Sequence, residues 1–136
     1  MEMSNKGYDM EHQKLVSNIE NLLYKCASGG FLDLLKYFKE KFNIDLQAGS
    51  NMALTLACEG GHLDIAKYLI ENGANINADN GKPLILASEN GHLEVVQYLI
   101  KSGAPYNEAA LEIAKINKHA KVVEYLNTLT RNNKEI

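Results

Sequence analysis

Leu54-Thr-Leu-Ala-Cys-Glu-Gly-Gly-His62-Leu-Asp-Ile-Ala-Lys-Tyr-Leu-Ile70 returns as Leu84-Ile-Leu-Ala-Ser-Glu-Asn-Gly-His92-Leu-Glu-Val-Val-Gln-Tyr-Leu-Ile100. A looser copy runs Leu111-Glu-Ile-Ala-Lys-Ile-Asn-Lys-His119-Ala-Lys-Val-Val-Glu-Tyr-Leu126, and a fourth begins at Leu23 and passes through Phe31 to Phe38. The anchors Phe31, His62, His92 and His119 are 31, 30 and 27 residues apart. Self-similarity at such a period marks an array of supersecondary units, each too small to bury its own apolar face.

Each unit reads as two helices. The first ends at a glycine (Gly30, Gly61, Gly91), which enters the left-handed region without a Cβ clash. The second ends at Gly73 or Gly103 in the middle units, and Asn43 takes that place in the first. Polar residues of the second helices fall at Asp33/Lys36/Glu40, Asp64/Lys67/Glu71, Glu94/Gln97/Lys101 and Lys121/Glu124/Thr128. That i, i+3, i+7 spacing is one stripe of an α-helix, and the largely apolar remainder predicts burial on two sides, against the partner helix and against the next unit. Opposite charges within Asp64/Lys67/Glu71 are expected to satisfy one another locally.

These motifs resemble the ankyrin repeat family. Gly81-Lys-Pro-Leu-Ile-Leu-Ala87 is similar to its Gly-x-Thr-Pro-Leu-His-x-Ala signature without the Thr and His, and Asn72-Gly-Ala-Asn-Ile-Asn77 is similar to its Gly-Ala-Asp-Val-Asn turn. Gly61-His62 and Gly91-His92 match its Gly-His step, and the likeness covers about residues 15–130. The expected fold is an all-α solenoid of four stacked helix pairs with polar caps. The units are placed at 12–48, 49–78, 79–107 and 108–131, with mobile tails at 1–11 and 132–136. The caps rest on an apolar ladder, Leu56/Leu86/Ile113, that becomes Lys25 in the first unit, and on Ile70/Ile100, which become Lys39 and Asn127 at the two ends. On that pattern the chain is expected to be a self-sufficient domain. Repeats trimmed by about three residues from the usual ankyrin unit of 33 resemble arrays of large DNA viruses and of bacteria living inside eukaryotic cells.

Composition narrows function by exclusion. With 136 residues, 46% apolar and a formal net charge of −3, the chain can build one core and carries no global field for nucleic acid or an anionic membrane. No apolar run approaches the ~20 residues of a membrane span, and the polar stretch Met1–Gln13 does not read as a secretory leader. Cys26 and Cys58 form no ligand spacing and point to small buried thiols in a reducing, cytoplasmic setting, or in a host cytosol after delivery. His62, His92 and His119 share one repeat position, but stacked helices hold equivalent atoms about 8–10 Å apart, too far for zinc's ~2 Å bonds. A structural role at the turn is expected instead.

There is no phosphate loop, nucleophile elbow or shared carboxylate cleft, so the chain does not read as an enzyme, and neither metal nor cofactor is expected. The resemblance implies a module that binds a protein partner through its concave face and short fingers, acting as a monomer. Carried over by position, the partner-binding candidates are Asn51, Glu59, Asp79, Lys82, Glu89, Asn90, Tyr106 and Asn117. The alternatives are self-association, for which the recurring Tyr37, Tyr68, Tyr98 and Tyr125 offer an edge, and a small-ligand or nucleotide role.

Overall fold

The computed structural model describes the backbone of residues 2–43 and 46–135; side chains at 2–9, 12, 46–50 and 131–135 are outside the description. Counted by repeat position the fingers are 47–52, 78–82 and 106–108, so most of the expected tails and positions 47–50 of the first finger lie outside the described side chains.

Eight helices follow in order: α1 (Glu2–Gly29), α2 (Leu32–Phe42), α3 (Leu46–Gly60), α4 (Leu63–Glu71), α5 (Ala78–Glu89), α6 (Leu93–Lys101), α7 (Glu108–Ile116) and α8 (Ala120–Glu135). No strand occurs among the described residues. Consecutive helices pair, and the pairs stack into two layers, α1-α3-α5-α7 and α4-α6-α8 with α2 beside α1. One apolar core threads the stack, from Leu23 and Leu35 through Leu54, Ile65 and Leu69 to Leu84, Val96 and Leu99, ending at Val122 and Leu126.

Packing between successive first helices is much denser than between successive second helices. Its cause is residue size. Ala27, Ala53, Ala57, Ala87, Ala110 and Ala114 are all buried on the first helices and let their backbones approach closely. A stack tighter on one side than the other curves toward the tight side, so the first helices line the concave face.

The turns behave as the glycines foretell. Gly61 and Gly91 have φ of 75° and 72°, Asn43 at the end of α2 is left-handed (φ 49°), and Lys118 (φ 62°) holds the same conformation in the last unit with a side chain. A Cβ at Gly61 would lie 2.6 Å from Nδ1 of His92, so the missing side chain also makes room for the next unit's imidazole. That imidazole is a lock between units. Nε2–H of His62 donates to Ser28 O at 3.0 Å, and Nε2–H of His92 and His119 donate to Glu59 O and Glu89 O at 2.9 Å. The structural role expected of the histidines is thus backward capping of the preceding first helix, whose last carbonyls have no partner of their own.

Two expectations need correction. Asp64, Lys67 and Glu71 do not pair; Lys67 Nζ lies 5.5 Å from the Tyr98 ring centre and Lys36 Nζ 5.4 Å from that of Tyr68, each lysine covering the tyrosine of the next unit. Asp64 Oδ1 instead accepts from Ile65 N–H at 2.8 Å in the first turn of α4. The second concerns the first unit, which is polar at Lys25 but apolar along α2. Leu34 is 45% exposed there, whereas the equivalent Ile65 is fully buried, and Phe31, Tyr37 and Phe42 are also exposed.

Candidate functional site

One face of each first helix carries a set of positions spaced i, i+4 and i+7, one stripe of the helix. The stripes are Asn21/Lys25/Ser28, Met52/Leu56/Glu59, Lys82/Leu86/Glu89 and Ala109/Ile113/Ile116. Stacking aligns them into three rows across the concave face. The finger-side row is Asn21, Met52, Lys82 and Ala109, all exposed; the turn-side row is Ser28, Glu59, Glu89 and Ile116. Between them run Lys25, Leu56, Leu86 and Ile113, the lysine exposed and the three apolar residues half-buried.

This corrects the reading of Leu56/Leu86/Ile113 as part of the buried ladder. They are only half-buried, Leu56 packing at the edge of the core, while the buried ladder runs through Leu54, Leu84 and Leu111. Ile116, 70% exposed, closes the apolar row at one end, and the exposed Met52 flanks it at the other. Sequence reasoning missed these side chains as surface because an apolar residue on an amphipathic helix reads as core. The signal available was their offset of two residues from the Leu54/Leu84/Leu111 positions, about 200° around the helix.

The eight candidate residues do different things. Glu59 and Glu89 sit side by side in the turn-side row, and neither carboxylate has an ion-pair partner among the described residues. Lys82 is exposed in the finger-side row, and Asp79 is exposed at the tip of the finger, where Asp79, Asn80 and Gly81 are all left-handed with φ of 50°, 59° and 90°. Asn51 Oδ1 accepts from Asn75 N–H at 3.2 Å and ties the 72–77 turn to α3. Asn90 Nδ2 donates to Leu86 O and Asn117 Nδ2 to Glu89 O, each at 2.9 Å, so these two amides cap α5 from within and from the next unit. Tyr106 is half-buried and packs against the core. The structure therefore gathers Glu59, Glu89 and Lys82 around the apolar row and gives Asn51, Asn90, Asn117 and Tyr106 scaffold contacts. Asn107, not among the candidates, holds the short third finger: Oδ1 accepts from Ala109 N–H at 2.9 Å as a helix N-cap, and Nδ2 donates to Asn80 O at 3.2 Å.

Reactive groups are held away from this face. Cys26 and Cys58 are free and buried, and burial pushes the Cys58 thiol up to about 12 and raises that of Cys26, which keeps both protonated. Among the described residues no three His, Cys, Asp or Glu side chains gather to hold a metal ion, and no helix is long and apolar enough to cross a membrane.

Residues 2–80 and 79–135 match the sequence model of ankyrin repeats in three copies. Similar chains include an ankyrin repeat protein of Acanthamoeba polyphaga mimivirus, 36% identical over 78 residues, covering 51% of this chain and 36% of that one. Another is an ankyrin repeat protein of Rickettsia bellii, 38% identical over 61 residues, covering 40% of this chain and 17% of that one. Alpha-latrotoxin of Latrodectus hasselti is 37% identical over 60 residues, 43% of this chain and 4% of the toxin. The chain thus spans about a third or less of the length of these relatives.

Proposed function

The chain belongs to the ankyrin repeat family, and from that premise we propose that it is a protein-binding module, without catalytic activity, that takes its partner on the concave first-helix face. One observation carries the reading: Leu56, Leu86 and Ile113 form a half-buried apolar row across the first helices, flanked by the exposed Met52 and Ile116. Contiguous exposed apolar surface rimmed by charge is the mark of an interaction site. The four first-helix stretches between the finger-side and turn-side rows, about 12 Å each and stacked at about 10 Å, offer roughly 400–500 Å², so the fingers must supply the remainder of a standard ~800 Å² per partner. Buried, unpaired thiols favour a reducing cytosol, of the cell or of an invaded host, as the place of action.

The test is capture of the native partner by the purified chain. Leu86→Asp with Ile113→Asp is expected to abolish capture with circular dichroism unchanged, whereas reversing Glu71 and Lys101 on the convex side changes affinity less than about threefold. The opposite ranking overturns the reading. A second reading, self-association, is favoured by the exposed Phe31, Leu34, Tyr37 and Phe42 of the first unit. Sedimentation that stays monomeric at high micromolar concentration rejects it.

A further inference from the structure

Resting on the concave-face reading, we propose that the partner element is an amphipathic α-helix lying across the first helices, with apolar residues seven apart and basic residues on the flank that faces the turns. Spacing supplies the first half of the argument. Leu56, Leu86 and Ile113 repeat once per stacked helix, and packed helices lie about 8–10 Å apart. Seven residues of α-helix advance about 10.5 Å, so a helical ligand crossing the stack presents one apolar residue to each step. An extended strand puts same-side residues about 6.7 Å apart and falls out of register after one step.

Charge layout supplies the second half and fixes the orientation. The turn-side row places Glu59 and Glu89 on adjacent helices, both without ion-pair partners among the described residues, and the finger-side row places Lys82 opposite them. Two basic residues seven apart on one flank of the ligand would each meet one carboxylate, and a carboxylate on the other flank would meet Lys82. The apolar Ile116 ends the acidic row, so the charged contacts belong to the two middle units and the last unit contributes apolar contact alone.

A 21-residue helical peptide with leucines seven apart and arginines on the turn-side flank is the probe, read by fluorescence anisotropy against the full chain. A second peptide of identical composition carries the arginines on the opposite flank, towards Lys82. The first is expected to bind at least about tenfold tighter than the second, and to weaken several-fold as salt rises from 50 to 200 mM, since rim charges are screened over about a Debye length. Glu59→Lys with Glu89→Lys should invert the preference towards a peptide with glutamates on the turn-side flank, a rescue that misfolding does not produce. Equal binding of the two arginine peptides, absence of binding by either, or an unchanged preference in the double variant overturns the proposal. If the peptides fail while Leu86→Asp with Ile113→Asp still abolishes capture of the native partner, the face stands and the helical ligand falls; if capture also survives, both readings fall.

Discussion

The first helix pair and the two middle pairs are built on the same template and meet different surroundings. Leu34 and Ile65 occupy one repeat position, yet the first is 45% exposed and the second buried completely. Tyr68 and Tyr98 lie under lysines from the preceding unit, while Tyr37 lies under Lys41 of its own helix, 5.5 Å from the ring centre. His62 and His92 reach back to carbonyls of the unit before; Phe31 stands at that position without a polar atom to satisfy. The lesson is that burial in a stack belongs to the neighbour as much as to the residue. A side chain of the middle units stabilises two interfaces, and its counterpart in the first unit stabilises one.

That contrast can be broken by paired truncations. Ile65→Ala should cost about 2–5 kcal/mol in urea denaturation, the range for emptying a packed core site. Leu34→Ala at the equivalent position should cost less than about 1 kcal/mol, because little apolar surface is removed from cover. Equal losses would mean that the α2 face is covered in solution, and would transfer weight to self-association.

The turns sharpen the same contrast at the other end of the stack. Gly91→Val should destabilise by at least about 2 kcal/mol, since a β-branched side chain in the left-handed region is strained and its Cβ would meet the His119 ring. Lys118 already carries a side chain at the equivalent φ of 62°, so Lys118→Gly should leave stability unchanged or raise it by up to about 1 kcal/mol. A destabilising Lys118→Gly, measured as a lower Tm, would show that this side chain makes a contact worth more than its strain.

His92→Phe would give a middle unit the first unit's residue. Loss of the 2.9 Å bond to Glu59 O should lower stability by about 1 kcal/mol, the net worth of one hydrogen bond. A neutral outcome would mean that the imidazole acts through shape alone. The smallest expected effect belongs to Ser88, whose hydroxyl is fully buried with no hydrogen-bond partner among the described residues. Ser88→Ala should raise the Tm slightly, by roughly 0.5–1 kcal/mol of stability, because an unsatisfied buried group is removed; a lower Tm would indicate a buried water bonded to it.

Much of the architecture was legible before any coordinates. The thirty-residue period, the Gly-His steps and the i, i+3, i+7 polar stripes name eight helices in four pairs because helical periodicity and left-handed turns are local properties of the backbone. The candidate site was legible only in part. Glu59, Glu89 and Lys82 are named by repeat position and lie on the first-helix face, whereas Leu56, Leu86 and Ile113 read as part of an apolar ladder, and Asn51, Asn90 and Asn117 spend their amides on the scaffold. An alternation of apolar and polar residues tells which side of a helix prefers cover. It does not tell which of two apolar rows receives that cover, nor which amide finds a carbonyl in the next unit. Those outcomes depend on how closely the alanine-lined first helices pack and on which face is left open when they curve. They are set by distances between residues some thirty positions apart, and a one-dimensional pattern carries no such distances.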